Sequence, residues 1–283
     1  MMPLWTNEKT GVMSVQYSQY TLEYFLHSMK ECGYKNIDFW AGAPHFCPEM
    51  FLSPKDAREK LKKIKKRLQQ LQLDVSCYTL EQIHYPVNLA SNDKTHRQLS
   101  IGYFEEAMDY AKILETDKVF VTSGVGLRDL PRQESLEYSL DSLKQLVETA
   151  EKKEVFLVIE QLQPFETNLG VSIQDIQNIK EQISSDRLKV CVDVVAMAVA
   201  KETLDDWFLT FGEDLVLIHM SDGTPGGHFV PGDGHLDMKG YYADLKKHEF
   251  KGSVTLEINS TRYLDDPHGA LMKTMDYLKK EIY

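Results

Sequence analysis

Short apolar runs alternate with helical patterns eight times along this chain, and that alternation constrains the fold more than any other feature. The runs contain mostly apolar and β-branched residues, as expected of strands buried on both faces. We predict strands at Gly11–Tyr17, Ile37–Trp40, Leu73–Tyr78, Lys118–Thr122, Val155–Ile159, Leu188–Val192, Leu215–His219 and Ser253–Ile258. Strict alternation of strand and helix produces a parallel sheet, and eight units favour closure into a (β/α)8 TIM barrel. A doubly wound open sheet is the rival, but no Gly-x-Gly-x-x-Gly turn follows the first strand.

The intervening segments carry signals for helix starts. Ser53, Ser172 and Thr203 are predicted to be N-caps, because serine and threonine accept hydrogen bonds from free amides of a first turn. The predicted helices cover Tyr20–Cys32, the segment from Pro54 through Leu71, Lys94–Leu114, Pro131–Lys152, Ile173–Ile183, the segment from Thr203 through Phe208, Met238–His248 and Pro267–Lys280. No proline-, glycine- or serine-rich linker divides the 283 residues, so we expect one barrel domain over residues 1–283.

Four successive strands end in polar residues that a buried sheet would not place there without a reason. These residues are Glu160, Asp193, His219 and Glu257. Taken singly, each acid is better explained as a helix cap or a surface ion pair. In a barrel, however, the carboxyl ends of the strands meet at one mouth, where barrel enzymes build their active sites. The set therefore predicts a common site.

Three carboxylates and one imidazole form a mostly oxygen donor set. Such a set suits one Mn²⁺ or Mg²⁺ ion better than a thiolate-binding metal, and it would also accept Co²⁺ or Zn²⁺. We expect one divalent ion, with Mn²⁺ preferred. The cysteines Cys32, Cys47, Cys77 and Cys191 contain no Cys-x-x-Cys pair, and Cys77 and Cys191 look like small buried apolar residues.

Charge and hydropathy restrict the partners. The formal net charge of −11 argues against binding of nucleic acid, whose phosphates would be repelled. No basic, apolar leader and no run of about 18 apolar residues is present, so we expect neither a signal peptide nor a membrane span. The cysteine pattern favours a reducing compartment, and we predict a cytoplasmic protein.

Several motifs resemble one family. IDFWAG, VIEQLQPFETN, VCVDV, LIHMSD, HFVPGDG and TLEIN are similar to motifs of the sugar isomerase/epimerase barrels related to D-tagatose and D-psicose 3-epimerases, which share their fold with endonuclease IV. WAGAPHFCPEM, YTLEQIHYPVN and PFETN look most like fructoselysine 3-epimerases. The resemblance covers nearly the whole chain. It implies a small-molecule sugar substrate and a homo-oligomer, either a dimer or a tetramer.

The resemblance also implies roles for particular residues. It places the metal ligands at Glu160, Asp193, His219 and Glu257, with the two glutamates as the catalytic acid–base pair. A substrate-contacting glutamate falls at Glu166. His228 stands where many relatives have an arginine, and Ala196 where many have a histidine. These two differences concern the sugar contacts rather than the metal.

The expected reaction is epimerisation at C3 of a ketose. One glutamate would remove the C3 proton, the metal would stabilise the enediolate, and the other glutamate would return a proton to the opposite face. The alternatives are an aldose–ketose isomerase, a polyol dehydratase, an abasic-site endonuclease of the shared fold and a sugar-binding protein without activity. The endonuclease would need more histidines and a basic face.

Loop residues near the predicted mouth are weaker candidates. His45, Glu81 and Asn88 follow the second and third strands, and each could contact the substrate or fix its own loop. Trp40 could stack on a sugar, although barrel aromatics more often pack in the core. We interpret the glycine-rich loop Gly223–Gly234 as a flexible lid rather than a phosphate site.

Overall fold

A computed structural model describes residue 5, residues 7–81 and residues 87–283. Part of the YTLEQIHYPVN motif, residues 82–86, therefore lies outside the described residues. In the described part of the chain, eight parallel strands form a closed barrel in sequence order, and β1 pairs with β8. This confirms the predicted TIM barrel. The strands are β1 Thr10–Met13, β2 Asn36–Ala41, β3 Asp74–Leu80, β4 Lys118–Thr122, β5 Phe156–Glu160, β6 Leu188–Asp193, β7 Leu215–Met220 and β8 Ser253–Leu256.

Helices surround this barrel. Among the described residues they are α1 Leu22–Cys32, α2 Pro54–Leu71, α3 Lys94–Ile113, α4 Arg132–Lys153, α5 Ile173–Ile183, α6 Val194–Ala200, α7 Leu204–Phe211, α8 Met238–Lys247 and α9 Pro267–Glu281. The predicted caps are confirmed: Ser53, Ser172 and Thr203 each accept a hydrogen bond from the third backbone amide of their helix. No described helix has the length and apolarity needed to cross a membrane.

The largest differences from the predicted pattern occur in two segments. The first strand ends at Met13 instead of Tyr17, and Ser14–Tyr17 forms a 3-10 helix. That turn buries the Tyr17 ring against Phe25 of α1, with ring centroids 5.1 Å apart. The second difference is α6, a helix that the sequence interpretation did not contain. It starts directly after β6 because the Asp193 carboxylate accepts a hydrogen bond from the Val195 amide at 2.8 Å.

The barrel interior is filled by a layer of buried side chains below the strand ends. Its members are Cys77, Phe120, Val158, Cys191 and Leu217. Residues two positions further along the same strands point to the same side, because side chains alternate across a strand. Glu160, Asp193 and His219 follow Val158, Cys191 and Leu217 in this way, so they lie above the apolar layer. We call this end of the barrel, formed by the carboxyl ends of the strands, the mouth.

Candidate active site at the barrel mouth

The four predicted ligands lie together at the mouth, and we call them the strand-end cluster. Glu160 and Asp193 are the last residues of β5 and β6, His219 is the second-last residue of β7, and Glu257 directly follows β8. Side-chain exposure is 6% for Glu160, 8% for Asp193, 1% for His219 and 19% for Glu257. Three largely buried carboxylates in one site require compensating positive charge.

The His219 ring lies at the centre of the strand-end cluster. Its Nδ1 atom is 2.6 Å from Glu160 Oε1 and 2.9 Å from Glu257 Oε2. This Nδ1 atom is nevertheless buried without a hydrogen-bond partner, because neither contact has hydrogen-bond geometry. An imidazole nitrogen that faces carboxylate oxygens across such short distances is the arrangement expected around a cation. The donor set therefore fits a divalent ion.

Asp193 and Glu257 form a second group with His228. Asp193 Oδ2 is 3.0 Å from His228 Nε2, and ligand atoms of Asp193, His228 and Glu257 all lie within 4.8 Å of one another. Glu160, Cys191 and His219 form the other such group. Glu257 contacts His219 as well, so it joins the two groups into one continuous site.

Burial and charge shift the acidities of this site. Burial raises the pKa of Glu160 to about 7, and burial also raises the pKa of Glu166 to about 7. Burial disfavours the charged form of His228, but the Asp193 carboxylate outweighs this and raises the pKa of His228 to about 10. His228 therefore contributes a positive charge beside Asp193 at neutral pH.

Two members of the site were missed by sequence reasoning. Asp38 of β2 is fully buried and lies 3.3 Å from His219 Nε2 through its Oδ2 atom. An acid in the middle of the apolar run IDFWA was the available signal. Cys191 is buried as predicted, but it is more than an apolar filler, because its Sγ donates to Glu160 Oε1 at 3.4 Å.

The predicted substrate contacts do not all lie beside the strand-end cluster. Glu166 and His228 belong to the mouth, and the Glu166 carboxylate accepts a hydrogen bond from the Gln163 amide at 2.8 Å. Trp40 and Glu81 form a pair in which Trp40 Nε1 donates to Glu81 Oε2 at 3.0 Å. Both side chains are partly exposed.

His45 and Asn88 are engaged with backbone instead. His45 is only 3% exposed, stacks on Phe25, and its Nε2 lies 3.1 Å from the Tyr20 carbonyl oxygen. The Asn88 carboxamide hydrogen-bonds to both the amide and the carbonyl of Val125 at 2.9 Å, and to the Ala90 amide at 3.0 Å. The structure therefore favours the loop-fixing interpretation for these two residues.

The glycine-rich loop does not have the character of a flexible lid. Asp222, at its start, accepts four hydrogen bonds of 2.8–3.0 Å from the amides of Gly223, Gly232, Gly234 and Leu236. A Cβ atom at Gly234 would lie 2.3 Å from Asp222 Oδ1, so only glycine allows this approach. The sequence gives no sign that the Asp222 carboxylate accepts hydrogen bonds from four amides of this loop. The result is a fixed loop that holds His228 over Asp193.

Comparison with known proteins identifies the family. The sequence profile of the xylose isomerase-like TIM barrel matches residues 26–281, which is most of the chain. The chain belongs to this family. Its curated relatives include the fructoselysine 3-epimerase of Escherichia coli O157:H7, which is 28% identical over 262 residues covering 92% of this chain and 93% of the relative.

Solved structures of the same fold include further epimerases. The D-psicose 3-epimerase of Clostridium cellulolyticum H10 superposes with a TM-score of 0.80 at 16% identity, covering 96% of this chain and 98% of that one. An L-ribulose 3-epimerase also gives 0.80, at 18% identity and 96% and 93% coverage. The IOLI protein, solved with a bound zinc atom, gives 0.78 at 18% identity and 97% and 99% coverage. The family and its curated relatives support an enzyme of the epimerase/isomerase class.

Proposed function

We propose that this protein is a divalent-metal-dependent ketose 3-epimerase. The observation that carries the proposal is the pair of carboxylates, Glu160 and Glu257, which approach the same nitrogen of His219, an Nδ1 atom that makes no hydrogen bond. The fructoselysine 3-epimerase of E. coli O157:H7, aligned over 92% of the chain, supports this reaction class.

Glu160, Asp193, His219 and Glu257 would hold the metal. When bound there, a divalent ion supplies positive charge that polarises the ketose carbonyl and stabilises the negative charge left after C3 loses its proton. We propose Mn²⁺ as the preferred ion. Glu160 Oε1 and Glu257 Oε2 both adjoin His219 Nδ1, so each carboxylate has a second oxygen that is not used in this contact.

The two glutamates then perform the proton chemistry. Inversion at carbon requires removal of a proton from one face and delivery to the other, so two separate groups are needed. Glu160 comes from β5 and Glu257 follows β8, so the two carboxylates enter the site from strands three positions apart in the barrel.

An amino-linked ketose related to fructoselysine is the proposed substrate. We propose that Glu166 and His228 contact its hydroxyls, and their position at the mouth, with His228 on the loop that Asp222 fixes, supports this role. Trp40 and Glu81 would form a more distant wall. We also propose that the enzyme works as a cytoplasmic homo-oligomer.

Isotope incorporation tests the reaction. Turnover of an amino-linked ketose in heavy water should place deuterium at C3 of the product, as seen by NMR. The Glu213→Gln variant, changed at an exposed acid before β7, is a matched control and should label C3 at the wild-type rate. Deuterium at C1 or C2 would instead identify an aldose–ketose isomerase and overturn the proposal.

Metal removal tests the cofactor separately. Protein that is chelated and dialysed should lose epimerisation and recover it on addition of Mn²⁺ or Co²⁺. Metal analysis should find about one ion per chain in active protein, since the cluster offers one set of four donors. Undiminished activity in metal-free protein would show that the carboxylates work without an ion.

A further inference from the structure

Asp38 has an environment that its place in the fold does not explain. It lies in β2, within the otherwise apolar run Ile37–Ala41, and is 0% exposed. A buried carboxylate is strongly destabilising unless it is paired and hydrogen-bonded. Its partners should therefore indicate its role.

Three strands supply those partners. The Thr79 hydroxyl of β3 donates to Asp38 Oδ1, and the Thr255 hydroxyl of β8 donates to Oδ2 at 3.2 Å. The Nε2 atom of His219, in β7, lies 3.3 Å from the same Oδ2. The two hydroxyls fix the carboxylate in orientation, and His219 is its ion-pair partner among the described residues.

The His219 ring is thereby held from opposite edges. Nε2 faces Asp38, whereas Nδ1 faces Glu160 and Glu257. The Phe120 ring stacks on the imidazole with centroids 5.6 Å apart and an interplanar angle of 18°, which fixes the plane of the ring. An ionised carboxylate only accepts hydrogen bonds, so the Nε2 atom beside it must carry a proton.

We propose that Asp38 is a positioning residue that holds His219 with its proton on Nε2 and its Nδ1 lone pair directed at the strand-end cluster. This inference rests on the metal-dependent function proposed above. A histidine ligand whose second nitrogen donates to a carboxylate is fixed in orientation and becomes a stronger electron donor. Asp38 thus acts on the metal through His219 without touching it.

Metal affinity is the first readout. The Asp38→Asn variant keeps the side-chain size but replaces the carboxylate by a neutral amide, and its Mn²⁺ affinity, measured by chelator competition, should fall about 10–100-fold. Thr255→Val removes one donor to Asp38 and should cause a smaller loss. Val158→Ala, in the same interior layer but without a polar contact to His219, is the control and should lower thermal stability while leaving Mn²⁺ affinity nearly unchanged.

The tautomer of His219 is the second readout, and a role only in folding would not change it. In Zn²⁺-loaded protein with ¹⁵N-labelled histidine, the wild-type His219 signal should show a proton on Nε2 and none on Nδ1. The His219→Gln variant assigns that signal. Asp38→Asn should shift the Nε2 signal and speed exchange of its proton with water.

The outcomes separate the inference from the proposed function. Wild-type Mn²⁺ affinity in Asp38→Asn, or a proton on Nδ1 of His219 in the wild type, overturns the role of Asp38 and leaves the epimerase proposal standing. A wild type that binds Mn²⁺ with the expected tautomer but does not epimerise ketoses overturns the epimerase proposal alone. If Asp38→Asn does not fold, Thr79→Val and Thr255→Val retain the carboxylate, and unchanged Mn²⁺ affinity in both contradicts the inference.

Discussion

The two halves of the barrel mouth use polar residues in different ways. On the side of β5 to β8, polar side chains at the strand ends point at one another. Glu160 and Glu257 each approach His219 Nδ1 within 3 Å. On the side of β1 to β4, His45 through its Nε2 atom and Asn88 through its carboxamide contact backbone groups of neighbouring loops. The strand-end side chains of the first half are arranged for chemistry, whereas these two loop side chains of the second half hold the shape of the rim.

This difference has a physical origin. A side chain at a strand end is aimed by the sheet, whose alternation and register leave little freedom. A side chain in a loop is aimed by whichever hydrogen bonds the loop can form, because buried backbone groups need partners. Substitutions in the strand-end cluster should therefore lower the reaction rate, whereas substitutions of the loop residues His45 and Asn88 should lower stability.

The largest effect is expected at the two glutamates. Glu160→Gln or Glu257→Gln keeps the side-chain size and one oxygen but removes the base, so kcat for epimerisation should fall about 10²–10⁴-fold. Each single variant should still exchange the C3 hydrogen of one epimer in heavy water, because the remaining glutamate serves one face. Glu213→Gln, at the exposed acid before β7, is the matched control. Normal epimerisation by Glu257→Gln would contradict the assigned roles.

Removal of the Asp222 carboxylate should give the next largest effect. Asp222→Ala removes the acceptor of four loop amides. The free energy of unfolding in urea should fall by about 2–4 kcal/mol, since hydrogen bonds to charged groups contribute about 1.5–3 kcal/mol each and the freed loop can regain water. KM should also rise, because the loop carries His228. A variant with unchanged KM would show that His228 keeps its position without the hydrogen bonds to Asp222.

A smaller change, restricted to stability, is expected in the rim. Asn88→Ala leaves the Val125 and Ala90 amides without their acceptor, and the free energy of unfolding should fall by about 1–3 kcal/mol. The kcat should stay close to that of the wild type, measured with saturating ketose. A large loss of kcat at unchanged stability would instead make Asn88 a substrate contact and would remove the contrast between the two halves.

The smallest effect is expected at Trp40. Trp40→Phe keeps an aromatic ring but removes the donor to Glu81. One hydrogen bond contributes about 0.5–1.5 kcal/mol, so KM should rise by about 2–10-fold if the Trp40–Glu81 pair lines the substrate site. The kcat should not change. An unaltered KM would assign the pair to the rim alone.

The sequence predicted the features that depend on periodicity. The barrel, the caps at Ser53, Ser172 and Thr203, and the convergence of the strand ends all follow from local patterns whose geometry is nearly invariant. The role of Asp38 could not be predicted, because an acid inside a strand gives no sign of which side chains it contacts. Its partners Thr79, His219 and Thr255 come from three other strands. The role of Asp222 could not be predicted either. A glycine-rich composition indicates conformational freedom, whereas the carboxylate that removes this freedom precedes the loop.

Closure of the barrel has a consequence for synthesis of the protein. The first and last strands pair directly, with Val12 opposite Leu256, and Glu257 is the next residue. During translation, Glu160, Asp193 and His219 emerge before the strand that closes the ring. The final carboxylate of the strand-end cluster therefore arrives together with the strand that closes the barrel, so a nascent chain cannot complete the cluster before its last strand has been made.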